Sequence, residues 1–250
     1  MRVFILDRTY SGESVYQLRK REKDYLIKVL RIKTGDVFTC KDIKNNYYRA
    51  TVTDEDTLFL EATDDPEATL LDSLSAYRGT IPSIRVYQAI CKGKKNETVM
   101  RMLTEAGVEE VVFVVSEYCQ EKTLGDHDIR RLEDIRKEAA QQSGSSSSMG
   151  KIRVIDIKDA VSDSPYPLIF LHQGSRERTM SLKKALSDIS GSSVSVLIGS
   201  EGGISDGECA MLEGSGAVPV LLPTNILRAE TAGIFAVGAI ETIWESPYIV

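Results

Sequence analysis

The chain has 250 residues, 42% of them apolar and 27% charged, which supplies a core for one or two domains and argues against disorder. No apolar run approaches the roughly 18 residues a membrane span requires, and Asp7 interrupts the start too early for a signal peptide, so a soluble, cytoplasmic protein is expected. The formal charge of -6 gives no general attraction for nucleic acid. Cys40, Cys91, Cys119 and Cys209 stand singly, as small buried apolar residues would, with no C-x-x-C pair. With only His127 and His172 present, neither a multi-histidine metal site nor a zinc ribbon is expected, and no G-x-S-x-G elbow supports a serine hydrolase.

In chain order, short β-type runs come first: Val3–Leu6, Val37–Cys40, Tyr47–Val52 and Leu58–Glu61, punctuated by turn residues such as Gly35-Asp36 and Asn45-Asn46. Such spacing predicts a small β-barrel. Tyr25, Leu26, Val29 and Leu30 recur at helical spacing and predict one helix over Glu22–Arg31. The polar stretch Ala62–Thr80 follows. From Ile84 strands alternate with helices. Strands are predicted at Ile84–Ile90, Val111–Val115, Leu168–Leu171, Val194–Ile198 and Val218–Leu222, and helices near 97–106 (with Gly107 as cap), 127–142, 181–189, 206–212 and 227–244. This alternation predicts an α/β domain with a mainly parallel, doubly covered sheet. The serine-rich run 143–148 reads as a mobile loop. The expected organisation is a β-barrel domain over residues 1–70, a linker over 71–83 and an α/β domain over 84–250.

Ligands of open α/β sheets collect at the C-terminal strand ends. The segment Ile198-Gly199-Ser200-Glu201-Gly202-Gly203-Ile204-Ser205 follows one strand, and Ser205-x-x-Glu208 forms a capping box for the next helix. An ordinary tight turn would account for one or two of these glycines. The loop lacks the Lys-Ser/Thr of a P-loop, and no G-x-G-x-x-G follows any strand. A second loop, Leu222-Pro223-Thr224-Asn225-Ile226-Leu227-Arg228-Ala229-Glu230-Thr231-Ala232, leads into a final helix rich in small residues. A solvated first turn would equally explain Arg228 and Glu230. The third strand end, Leu171-His172-Gln173-Gly174, is generic by itself.

Together these loops resemble the knotted SPOUT methyltransferases, and specifically the RsmE family, whose members methylate N3 of a uridine in 16S ribosomal RNA. The resemblance is carried by Leu197–Gly203 and Leu222–Ala232 at this spacing, by Lys92-Gly93, by Leu103–Val108 and by Glu138–Gly144. It implies a C-terminal SPOUT α/β trefoil-knot domain behind an N-terminal PUA-like β-barrel that binds RNA. It further implies S-adenosyl-L-methionine as cofactor, the small ribosomal subunit as partner, a homodimer through the C-terminal knot helix, no membrane and no metal. The implied cofactor residues are Leu171, His172, Ile198, Gly199, Gly202, Gly203, Leu222, Pro223, Ile226, Leu227 and Ala232. Methylating an imide nitrogen requires removal of its proton or stabilisation of the anion. Arg228 is the candidate for the anion and Glu230 for the proton, while Glu201 either substitutes for Glu230 or holds the glycine loop.

The chain departs from the family pattern at Ser200, Pro223 and Asn225. It also has Ser145 and Tyr118 where the family carries arginine. A second expectation is therefore an RNA-binding protein of this fold with reduced or lost catalysis; a small-molecule enzyme using another nucleotide is a third. Charge is unevenly spread. Residues 1–33 hold nine basic against four acidic residues, a net of +5, leaving -11 for residues 34–250. Arg2, Arg8, Arg19, Lys20, Arg21 and Arg31, with Lys92 and Lys94 at a strand end, are the expected phosphate contacts; a solvated basic face is the alternative.

Overall fold

The computed structural model describes residues 3–10, 12, 14–44, 46–63, 82–145, 147, 149–174 and 179–244. The chain folds into two compact units, Met1–Tyr77 with Gln141–Gly144, and Arg78–Ala140 with Ser145–Val250. Most of the expected linker, and Arg2, lie outside the described residues.

The first unit is a half-barrel of five strands, β1 (Phe4–Ile5), β2 (Val15–Gln17), β3 (Val37–Lys41), β4 (Tyr47–Val52) and β5 (Thr57–Ala62), in the order β1-β3-β4-β5-β2. β1 runs parallel to β3 and the other pairs are antiparallel. Side chains alternate across the sheet, so Tyr48, Ala50 and Val52 of β4 and Leu58 and Leu60 of β5 are buried against Phe4, Leu6 and Leu26. Helix α1 (Lys20–Asp24) is pinned by the buried Glu22, which accepts hydrogen bonds from the backbone N–H of Arg19 (2.8 Å) and Asp7 (2.9 Å) and from the Tyr16 hydroxyl (2.7 Å). The expected single helix over Glu22–Arg31 is corrected: α1 widens into a π-turn over Tyr25–Val29, and Arg31 takes a left-handed φ of 56°. The β-branched Ile27 and Val29 give this stretch little intrinsic helical stability, and both are exposed rather than buried.

The second unit is built on seven strands: β6 (Ser83–Ala89), β7 (Glu110–Val115), β8 (Arg153–Asp156), β9 (Leu168–Leu171), β10 (Met180–Ser181), β11 (Ser193–Ile198) and β12 (Val218–Leu221). Their order is β10-β12-β9-β11-β6-β7-β8, and every pair is parallel. Helices α2 (Lys95–Glu105), α3 (Asp126–Ser143), α4 (Ala160–Asp163), α5 (Leu182–Ser187), α6 (Asp206–Gly214) and α7 (Ala229–Trp244) supply the crossovers and cover. Burial on both faces explains the continuous apolar runs, in which Val112, Phe113, Val114, Ile169, Phe170, Val196 and Leu197 are all fully buried. The last strand, β12, lies between β9 and β10, two strands laid down earlier and joined directly in sequence. The last strand thus enters the sheet between two earlier ones, and α7 follows it to pack against α2.

Three short strands and the four-residue helix α4 escaped the sequence reading. β8 alternates half-buried and exposed residues, while β2 and β10 are too short to show a period. Within the serine run, residues 146 and 148 lie outside the described residues, while two others pack inward. Ser145 and Ser147 are buried, their hydroxyls lie 2.8 Å apart, and the Ser147 hydroxyl donates to the carbonyl of Val108. The hydroxyls find internal partners, which composition does not reveal.

Candidate functional site

Because all seven strands are parallel, the loops that leave β12, β9 and β11, which are neighbours in the sheet, emerge on one edge. They enclose a cavity of about 900 Å³. Leu171, His172, Ile198, Gly199, Gly202, Gly203, Leu222, Ile226, Leu227 and Ala232 line it, as do Glu201 and Arg228. Pro223 and Glu230 are not among the lining residues. The cavity also takes in Lys95, Gln173, Gly174, Ser200, Asp206, Thr224 and Asn225. Most of these sit beside residues already singled out. Lys95 belongs to a lysine run whose inward member is decided only by its partner.

The glycine loop is tightly curled. Gly203 adopts a φ of +79° and donates its N–H to the Ser200 carbonyl (2.9 Å). A Cβ on Gly199 would lie 2.8 Å from the Gly203 carbonyl carbon, so the curl excludes any side chain there. Helix α6 begins with the expected capping box, in which Glu208 N donates to Ser205 Oγ (3.3 Å) and Ser205 N to Glu208 Oε2 (3.0 Å). The same carboxylate accepts from Ser116 Oγ (3.0 Å) and Glu117 N (2.7 Å), tying the end of β7 to the loop. Glu201 Oε1 accepts from Lys92 N (3.1 Å) and Lys95 Nζ (2.8 Å). Burial alone would raise the Glu201 pKa, but the bonds from Lys95 and from backbone N–H groups prevail and hold it below the usual carboxylate range. A carboxylate so occupied is a poor base; it anchors the glycine loop to the start of α2.

Arg228 stands exposed at the cavity rim just before α7, and no carboxylate among the described residues pairs with it. Its carbonyl receives Ala232 N (2.8 Å), which opens the helix. Glu230 is half-buried, and its Oε2 is buried without a hydrogen-bond donor. Its charge reaches Cys91 and Lys95. Fully buried Gln88, at the end of β6, donates towards the Gly199 carbonyl (3.5 Å) while its Oε1 is unpartnered. All four cysteines are buried and free. Burial first, then nearby carboxylates, pushes the Cys91 thiol up to about 12 and Cys209, whose Sγ lies 3.5 Å from His172 Nδ1, up to about 11. Neither is an activated nucleophile.

Of the expected phosphate contacts in the first unit, Arg19, Lys20, Arg21 and Arg31 are exposed. Arg8 is instead half-buried: its guanidinium lies 4.5 Å from the Tyr16 ring centre and donates to the Gln17 carbonyl (3.0 Å). It braces the sheet as much as it faces solvent. In the second unit Lys92 and Lys94 are exposed. No group of three His, Cys, Asp or Glu among the described residues is placed to hold a metal ion, and no described helix is long and apolar enough to cross a membrane.

The cavity has room for a nucleoside-sized ligand. Leu171, Ile198, Leu222, Leu227 and Ala232 provide apolar walls, the side-chain-free glycine loop exposes backbone groups, and the charged lining sets Lys95 and Arg228 against Glu201 and Asp206. Comparison with known proteins agrees in kind. Residues 80–241 match the family model described as an RNA methyltransferase domain. Two curated relatives are both named ribosomal RNA small subunit methyltransferase E. The Rickettsia conorii protein is 26% identical over 62% of this chain and 62% of its own length, and the Mycobacterium bovis protein 28% identical over 64% and 63%. The chain thus aligns over less than two thirds of these relatives. The crystal structure of the Neisseria gonorrhoeae enzyme of that name, bound to S-adenosyl methionine, superposes with a TM-score of 0.74 over 98% of both chains at 24% identity, a likeness of fold.

Proposed function

Because the chain belongs to the RNA methyltransferase domain family, of the small-subunit methyltransferase E type, we propose that it is an S-adenosyl-L-methionine-dependent methyltransferase acting on N3 of a uridine in 16S rRNA. The observation that carries this reading is Arg228, exposed on the rim of the cavity without an ion-pair partner among the described residues, two residues from a carboxylate with an unsatisfied buried oxygen. The cofactor would supply a methyl group activated by its sulfonium. Leu171, Ile198, Leu222 and Leu227 would hold its apolar body, and the Gly199–Gly203 backbone would hold its polar edges. Arg228 neutralises charge as the uracil imide loses its proton, because a nearby cation favours the anion. Glu230 is the candidate for that proton; its Oε2 is buried outside the cavity lining, so the transfer requires the side chain to turn out towards the nucleotide.

The reading includes a homodimer through α7, whose outer face presents Ile234, Phe235, Gly238, Ala239, Thr242 and Ile243, and a cytoplasmic place of action beside the small subunit. The assay is transfer of labelled methyl to unmodified small subunits, followed by nucleoside mass spectrometry. One new 3-methyluridine in 16S rRNA is expected; no transfer, or a different methylated nucleoside, overturns it. A second reading, an RNA-binding protein without turnover, is favoured by one feature. The two family arginines are replaced by the buried Ser145 and by Tyr118. It predicts subunit binding with no transfer under the same conditions.

A further inference from the structure

We propose that Tyr118 is a stacking platform for an RNA base that flanks the methyl-accepting nucleotide. The turn after β7 that carries it is braced by several hydrogen bonds. Glu208 accepts from Ser116 Oγ and Glu117 N, Lys122 Nζ donates to the carbonyls of Ser116 and Glu117 (2.6 Å each), and Cys119 N closes the turn onto Ser116 O (3.1 Å). From this fixed turn the Tyr118 side chain lies against the glycine loop. A Cβ placed on Gly202 would meet Tyr118 Cβ at 2.8 Å and the ring's Cγ at 3.4 Å. The absence of a side chain at Gly202 therefore makes room for this tyrosine.

Despite that contact, Tyr118 remains 48% exposed, one of the largest apolar exposures in the second unit. A tyrosine with one side against a rigid loop and the rest in water costs little to order and presents a π-surface, the property that single-stranded RNA recognition uses. Its place decides which base it takes. Gly202 lines the cavity but Tyr118 does not, so the ring sits outside the cofactor pocket, and a base stacked on it is a neighbour of the reacting one. An arginine at this position would offer a cation to phosphate; the tyrosine exchanges that charge for stacking.

The inference rests on the RNA methyltransferase reading, and its test does not require turnover. Purified protein is irradiated with a 5-bromouridine-substituted fragment of 16S rRNA, and the adduct is mapped by peptide mass spectrometry. A crosslink to Tyr118 is expected, and a crosslinked protein with no adduct at this residue overturns the proposal. In steady-state assays Tyr118→Ala is expected to raise the KM for RNA by about ten-fold or more, with kcat and S-adenosylmethionine affinity unchanged, while Tyr118→Phe behaves as wild type. A loss of cofactor affinity in Tyr118→Ala with unchanged RNA KM would show that the ring only props the glycine loop, and would refute the assignment. Because crosslinking reports binding alone, a protein that stacks RNA on Tyr118 yet transfers no methyl would refute catalysis and leave this inference standing.

Discussion

Glu201 offers the sharpest separation of roles at the site. Glu201→Gln keeps an amide Oε1 in place of the carboxylate oxygen that accepts from Lys92 N at 3.1 Å, and removes only the charge that attracts Lys95 Nζ at 2.8 Å. The ion pair is partly exposed on both sides, so solvent screening leaves it a small share of stability, and a fall in Tm of no more than about 4 °C is expected. The glycine loop keeps its backbone curl, since Gly203 N to Ser200 O does not involve the carboxylate. Cofactor affinity should weaken about two- to five-fold, the scale of one partly screened interaction, and kcat at saturating substrates should change by a similar factor. A general base removed from this reaction would instead lower kcat by about 10² to 10⁴. Steady-state methyl transfer at saturating RNA and cofactor, with cofactor affinity measured separately by calorimetry, decides the matter. A kcat loss of about 100-fold or more at unchanged cofactor affinity would refute the anchoring role. The acid limb provides a second check. The folded pKa of Glu201 lies below its unfolded value, so its stabilising contribution is present above the ordinary carboxylate range and is lost as pH falls through the folded pKa. Glu201→Gln should lack that part of the acid dependence.

Arg228→Ala is expected to lower kcat by about 10²-fold with no change in Tm, because the guanidinium is exposed and has no ion-pair partner to lose; thermal melts and single-turnover assays check both halves. Gly199→Ala places a Cβ within 3 Å of the Gly203 carbonyl group, so cofactor affinity should drop by about ten-fold or more, read by calorimetry. Asp163 holds Arg153 through two bonds (2.6 and 3.0 Å) and accepts from Tyr87 OH (2.8 Å). Asp163→Asn should cost about 1–2 kcal/mol in urea unfolding, discounted for partial exposure. The Arg153 bonds, opposed by burial, hold the Asp163 pKa below its ordinary value. The wild type should therefore lose this stability as pH falls below the carboxylate range, and the variant should not. Phe235→Glu, at a residue 43% exposed on α7, should give a monomer in sedimentation velocity if α7 forms the dimer contact, with the far-UV spectrum unchanged.

Much of the site was legible before any coordinates. The runs around Phe113, Phe170 and Leu197 announce strands buried on both faces, and the pairing of Ser205 with Glu208 announces a helix start, because burial and capping are written in local periods of two to four residues. The two loops 199–205 and 222–232 stand out through their resemblance to a known family, and ten of the eleven residues that the resemblance implies around a cofactor line one cavity. Local pattern is silent about neighbours in space. It does not say that β12 inserts between β9 and β10, which brings Leu171, Gly203 and Leu227 into the lining of one cavity. Nor does it say which lysine of 92–95 meets Glu201 across more than a hundred residues, or that Ser147 turns inward to the carbonyl of Val108. Those choices depend on where the backbone polar groups and charges of distant segments come to rest once the core has closed. Sequence alone therefore determined the long buried strands and the two loops whose pattern resembles a known family. Tertiary structure decided that Glu201 is engaged by Lys92 and Lys95, that Arg228 stands exposed at the rim, and that Tyr118 lies half-exposed beside the glycine loop.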